Sequence, residues 1–132
     1  MKVTGALLTL LALSACDGER AQPASERAQV EVPVNRLASD DARRRGRALF
    51  VEKCALCHGE RADGNGARST GLSRKPANFR SPSWRASATP AYVYQVLREG
   101  KRGTSMPAWP TLSEDQTWDV IAYVLSAAED GP

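Results

Sequence analysis

Nothing in this chain restricts its fold more than the run Cys54-Ala55-Leu56-Cys57-His58, which holds two of its three cysteines and its single histidine. The spacing is C-x-x-C-H, the attachment signature of c-type haem. Two cysteines three positions apart, at the end of a helix, reach the two vinyl groups on one haem edge and form thioethers. The adjacent His58 is then swung beneath the ring to bind iron. A disulfide across the same pair would suit a thioredoxin-like domain, but the strand–helix alternation of such a domain is missing around it. A structural zinc site needs four nitrogen or sulfur ligands, and only Cys54, Cys57 and His58 are on offer once Cys16 is committed elsewhere.

The segments flanking the motif read as short helices joined by long loops. Ser39 is a good N-cap, and Asp40 and Asp41 place negative charge in the first turn. The helix they open is expected to run to about Lys53, with Ala42, Gly46, Leu49, Phe50 and Lys53 on one stripe. Thr89-Pro90 opens a second helix whose apolar face is Val93, Val96 and Leu97, and Gly100 ends it. Ser113-Glu114-Asp115-Gln116 is a capping box for a third helix, apolar almost all round from Trp118 to Leu125 and therefore expected to be buried on more than one side. No strand pattern competes. Between the first two helices, residues 59–88 form an irregular stretch punctuated by Asp63-Gly64, Asn65-Gly66 and Lys75-Pro76. A loop of that length fits a small domain when it wraps something, and the motif supplies the something. Asp63-Gly64-Asn65-Gly66 itself reads as a turn rather than a site.

The methionines complete the tally. Met1 leaves with the N-terminal signal, so Met106 is the only one in the mature chain. It stands in Gly103-Thr104-Ser105-Met106-Pro107-Ala108-Trp109, a poor core segment and a good place to present a thioether to iron. With no second histidine, a bis-histidine haem is excluded. Lys53, Lys75 and Lys101 are the other conceivable axial ligands.

The N-terminus reads as an address. Lys2 begins a short apolar run, Val3 to Leu13, too short for a membrane span and typical of a signal sequence. No twin arginine is present, so export in the unfolded state is expected. Leu13-Ser14-Ala15-Cys16 resembles the lipobox of bacterial lipoproteins, which implies lipidation at Cys16 and an exported protein held at the membrane and facing the periplasm. Asp17 resembles an inner-membrane retention signal. Residues 1–15 are thus expected to be a signal peptide, 16–38 a lipid-anchored tether, and 39–132 the globular domain. Val30, Val32 and Val34 suggest that part of the tether lies extended along the domain, and Pro33 argues against a central strand.

Charge excludes one partner class and suggests another. The whole chain carries a net charge of +3 with no basic block, so nucleic acid is not expected as a partner. Residues 59–110, however, contain nine basic residues against three acidic ones. Arg61, Lys101 and Arg102 are the cations expected to steer an acidic patch of a redox partner.

From about Ser39 to Leu125, with C-A-L-C-H-G at 54–59 and S-M-P-A-W at 105–109, the chain resembles the class I c-type cytochromes in their small bacterial monohaem form. The resemblance implies an all-α fold of three to four short helices and long loops around one covalent haem c. It pairs Gly46 and Phe50 of the first helix with Val120 and Tyr123 of the last. It also implies that the Pro76 carbonyl accepts a hydrogen bond from His58. Trp84, Arg80 and Arg85 are candidates for the haem propionates by position only. A haem bound by His58 and Met106 has no open position and suits a carrier of single electrons rather than an enzyme. Two alternatives stand beside it: a five-coordinate haem enzyme or gas sensor, and a fixed cytochrome subunit of a larger oxidase or dehydrogenase.

Overall fold

The computed structural model describes residues 30–129. The signal segment, Cys16, Asp17 and the first part of the tether lie outside these residues. Within them the regular structure is entirely helical: α1 (Val34–Leu37), α2 (Asp40–Lys53), α3 (Ala55–His58), α4 (Pro82–Ser87), α5 (Pro90–Glu99) and α6 (Glu114–Ser126).

The three longer helices begin where their caps dictate. The Ser39 hydroxyl accepts from the Ala42 amide to open α2, and Thr89 accepts from Tyr92 to open α5. At α6 the Ser113 side chain accepts from the Gln116 amide while the Gln116 side chain accepts from the Ser113 amide, so two orphan donors are satisfied reciprocally. α4 starts at a further cap, the Ser81 hydroxyl accepting from Trp84, with Pro82 in its first turn. The helices absent from the sequence reading, α1, α3 and α4, span only four to six residues. Such short elements leave no apolar period to read.

α2 crosses α6, and the crossing organises everything else. Gly46 is fully packed there, and a methyl group on it would overlap the carbonyl group of Asp119. One turn on, Phe50 is 1% exposed and packs against Tyr123 with ring centroids 5.0 Å apart. Burying such a side chain stabilises the fold by about 1.5–3 kcal/mol. The third helix is buried on several sides as expected, from Thr117 through Val124. α5 joins this pair through Val93 and Leu97 in the same core and through Tyr94, which stacks on Trp118 at 4.9 Å. Glu114 ties that pair together by accepting from both the Tyr94 hydroxyl and the Trp118 indole.

The packed body begins earlier than Ser39. Val30, Val32 and Leu37 lie partly buried against the core, and α1 packs on α6. Arg36 of α1 reaches the carboxylates of Asp115 and Asp119, each at 3.0 Å. Arg45 of α2 donates to the same Asp119 carboxylate at 2.8 and 3.1 Å. Residues 30–38, expected as tether, thus belong to the folded unit, held by Arg36 to a buried aspartate that Arg45 of α2 also pairs. Apolar side chains and a shared counter-ion outweigh the flexible-looking composition.

Candidate functional site

The C-x-x-C-H run sits where α2 gives way to α3. Cys54 is the joint between them, at φ −116° with its amide still donating to Phe50 and its carbonyl accepting from His58, and one further turn carries Ala55 to His58. What secures this turn is the loop that follows. Amide groups of the loop donate to its carbonyls: Gly64 to His58 at 2.7 Å, Gly66 to Cys57 at 3.1 Å and Arg68 to Leu56 at 2.8 Å. Gly66 has to be glycine, because a methyl there would overlap the carbonyls of Ala55 and Leu56. The Asp63 carboxylate accepts from the Asn65 amide at 3.0 Å and from Arg61 at 3.3 Å. The Asn65 amide in particular holds the Asp63 carboxyl below its ordinary value. The Asp63–Gly66 stretch is therefore a turn, as expected, and it is also the brace of the motif.

Cys54, Cys57, His58 and Met106 all line one cavity of about 300 Å³. Phe50, Leu72, Phe79, Val93, Val96, Leu97, Val120 and Val124 form its apolar walls. Both cysteines are free thiols. Burial pushes the Cys54 thiol up to about 11, against a smaller opposing effect of Lys53. Burial likewise lowers the His58 pKa, so the imidazole is neutral, while its bond to the Ala77 carbonyl opposes the shift. Since a carbonyl only accepts, His58 Nδ1 carries the hydrogen in that 3.2 Å contact and leaves Nε2 a lone pair for metal. The ring is further held by Phe79, stacked on it at 4.7 Å, with Trp84 edge-on behind Phe79 at 4.8 Å.

The acceptor for His58 corrects the expectation placed on Pro76. It is the next residue, Ala77. Pro76 lines the cavity, but its carbonyl faces the brace loop, where a methyl on Gly64 would come within 2.8 Å of it.

Met106 is presented by a closed loop on the end of α5. Its carbonyl accepts from Lys101 at 3.1 Å, its amide donates to Thr104 Oγ1 at 3.2 Å, and three residues on the Trp109 amide donates to Leu97 at 2.7 Å. Trp109 also lines the cavity, and its indole Nε1 is buried with no hydrogen-bond partner among the described residues.

The charged groups on the cavity lining are Lys53, Arg74, Lys75 and Lys101, with no carboxylate among them. Lys53 contacts Glu52 at 2.9 Å, and the Lys101 ammonium lies 5.9 Å from the centre of the Tyr92 ring. Of the three expected docking cations only Lys101 is on this lining; Arg61 is paired with Asp63, and Arg102 is exposed beside it. Of the expected propionate candidates Trp84 lines the cavity, whereas Arg80 and Arg85 do not. The sequence reading gave Ala77 no role, counted Arg74 only as one cation of the basic stretch 59–110, and had Trp109 only as part of the motif around Met106. Ala77 offers no side-chain signal, since it acts through its backbone.

This donor set suits haem c. It offers two free thiols three apart, a neutral imidazole with its metal-binding nitrogen free, a thioether in the same apolar cavity, and a buried N–H lacking an acceptor. Among the described residues no group of three or more His, Cys, Asp or Glu side chains converges as a metal-ion site, so the zinc alternative has no support there.

Fold and site together define a class I c-type cytochrome, all-α and with covalently bound haem c. More narrowly, the chain belongs to the family described as cytochrome c oxidase, cbb3-type, subunit III, whose profile matches residues 41–124. It is 30% identical over 99 residues to the cbb3-type cytochrome c oxidase subunit CcoP of Azospirillum brasilense, covering 74% of this chain and 32% of that protein. It is 29% identical over 107 residues to the thiosulfate dehydrogenase of Stutzerimonas stutzeri (strain A1501), covering 76% of this chain and 31% of that one. The chain thus spans about a third of the length of these curated relatives. Its fold is shared with a chain of the Kuenenia stuttgartiensis reducing HAO-like protein complex Kustc0457/Kustc0458, with a TM-score of 0.56 at 24% identity over 75% of this chain and 45% of that one.

Proposed function

We propose that this protein is an exported, lipid-anchored monohaem cytochrome that passes single electrons between redox proteins. In this reading Cys54 and Cys57 would hold haem c through two thioethers, His58 Nε2 and Met106 Sδ would ligate its iron, and Cys16 would carry the lipid. When bound, haem c supplies a one-electron iron couple. His58, fixed by Ala77 and Phe79, keeps its ring orientation through the redox cycle. Met106, held by a loop with two backbone–backbone ties and one to the Thr104 hydroxyl, would keep small ligands from the iron. The apolar walls exclude water, which limits solvent reorganisation around the iron. The observation that carries this proposal is the convergence of Cys54, Cys57, His58 and Met106 on one apolar cavity.

Absorption spectroscopy of the purified holoprotein tests it. The expected result is a low-spin spectrum with a thioether–iron charge-transfer band in the oxidised form, and Met106→Ala should abolish that band and lower the potential with haem still attached. A high-spin ferric spectrum at neutral pH would remove Met106 from the coordination sphere and favour the five-coordinate reading.

Partners are read from charge. Lys53, Arg74, Lys75 and Lys101 on the cavity lining favour a redox partner with an acidic docking patch, and the adjacent Arg102 extends that basic surface along the chain. The similarity to subunit CcoP favours a second reading, a fixed subunit of an oxidase complex, and the similarity to thiosulfate dehydrogenase favours a dehydrogenase role. Two measurements divide these. Co-purification with an oxidase at stoichiometric yield supports the subunit, and haem reduction by added thiosulfate supports the enzyme. A carrier does neither.

A further inference from the structure

We infer that the surface groove between α4 and α6 is a second electron port. There a redox protein presenting an apolar side chain among carboxylates exchanges an electron with the haem by way of Trp84, Phe79 and His58. Pro82, Trp84, Arg85, Ala86 and Leu125 line the groove, and of these only Trp84 also lines the haem cavity. From Trp84 the ring contacts run inward without a break. Its indole stands edge-on to Phe79 at 4.8 Å between ring centroids, and Phe79 stacks on His58 at 4.7 Å. Electron tunnelling weakens steeply with distance, and faster across open gaps than through packed groups. A continuous stack from a surface groove to an iron ligand is therefore a favoured path. Lys53, Arg74, Lys75 and Lys101, the cations of the cavity lining, are absent from the groove, so the two surfaces are distinct.

The groove's chemistry selects its partner. Pro82, Trp84, Ala86 and Leu125 offer apolar surface, Arg85 adds an exposed guanidinium, and no carboxylate is on the lining. Residues 64–98, which contain α4, hold several cations and no acid. An apolar centre with a charged rim is the usual make of a protein interface, and tryptophan is enriched where binding energy concentrates. Arg85 calls for a carboxylate on the facing surface. In the transfer one electron leaves the partner's reduced metal centre and arrives at ferric haem iron. The partner is oxidised by one electron and the haem reduced by one, with no bond or proton exchanged. Trp84 and Phe79 serve as the medium and are not themselves oxidised. With a second port, donor and acceptor can be bound at once rather than in turn. The inference rests on His58 ligating the haem iron and is independent of Met106 and of the anchor.

A photoactive ruthenium polypyridyl complex attached at Arg85→Cys tests the route in the ferric holoprotein. On a flash the excited complex gives one electron to the haem, and haem absorbance reads the rate. Adding Trp84→Leu should slow this transfer several-fold, whereas Trp84→Phe, which keeps a ring in place, should retain most of it. The optical spectrum and midpoint potential of each variant separate a lost path from a disturbed haem. A rate indifferent to Trp84→Leu would overturn the route. Docking is tested with Trp84 intact and no electron transferred. Nitrogen-15 amide spectra of reduced holoprotein carrying Lys75→Glu and Lys101→Glu, which disable the cavity rim, are followed as an acidic blue-copper protein in its cuprous state is added. Shifts centred on residues 82–86 and Leu125, and lost with Arg85→Glu, support the port. Shifts confined to other surfaces, or no binding once the rim is reversed, overturn it. Failure of the haem reading itself shows earlier, as a protein whose spectrum before labelling lacks a histidine-ligated haem.

Discussion

Gly46 of α2 rests directly on the backbone carbonyl of Asp119 in α6, leaving no room for a side chain between the two helices. This contact sets how closely the helices cross, and so where Phe50 meets Tyr123 and the back wall of the haem cavity. Gly46→Ala inserts a methyl against backbone, which cannot turn aside as a side chain would. The expected cost is about 1–3 kcal/mol, above the small gain that alanine brings to a helix. Denaturant unfolding of the haem-loaded protein measures it, and a variant as stable as wild type would mean that the helices part freely.

The Asp119 carboxylate is 5% exposed and shared by Arg36 and Arg45. Either arginine can be removed while the other still compensates the charge. Arg36→Ala and Arg45→Ala are each expected to be mildly destabilising, whereas the double variant leaves a buried carboxylate unpaired and should lose clearly more than the sum of the two. A double-mutant cycle in urea reads the excess. Strict additivity would show that solvent already reaches Asp119.

Asp63 gives the brace loop a pH dependence of definite sign. Its carboxyl titrates below the ordinary 3.8, held down first by the Asn65 amide and then helped by Arg61. The stabilisation it provides is complete above the unfolded value and disappears as pH falls through the lower folded one. Asp63→Ala should therefore be less stable than wild type at neutral pH, with the gap closing in acid as pH falls through the lowered folded-state value. Thermal melts across that range check it, and a gap independent of pH would assign the effect to packing.

The basic lining makes a kinetic prediction. Reversing Lys75 and Lys101 to glutamate should slow electron transfer to an acidic partner about 10-fold at low ionic strength, with the difference shrinking as salt shortens the Debye length below roughly 10 Å. The optical spectrum should stay the same. Stopped-flow rates over a salt series provide the measurement, and rates indifferent to both salt and reversal would make these cations ordinary solvated surface.

Cys16→Ser tests the proposed anchor. Acyl chains hold a protein to membranes regardless of salt, whereas charge alone does not. Wild type should remain in the membrane fraction after a high-salt wash and the variant should move to the soluble periplasmic fraction. Retention of the variant would point to a different anchor.

The sequence by itself determined the parts that depend on near neighbours along the chain. The Ser39, Thr89 and Ser113 caps, the apolar stripes behind them and the Cys54–His58 run are local patterns, and the structure has those three helices where the patterns put them. The crossing at Gly46 was implied by the resemblance to class I cytochromes, and the structure has it there. Other features came only with the tertiary structure. Ala77 rather than Pro76 receives the His58 hydrogen bond because the loop turns one carbonyl toward the ring and its neighbour toward Gly64, and carbonyls are alike in every residue. Residues 30–38 joined the body because Arg36 finds Asp119 across 83 positions, a pairing that no local window contains. The basic lining likewise gathers Lys53, Arg74, Lys75 and Lys101 from separate segments. Helix caps and periods are short-range and visible one window at a time, whereas a site assembled from loops is defined by contacts that exist only after the chain has closed on itself.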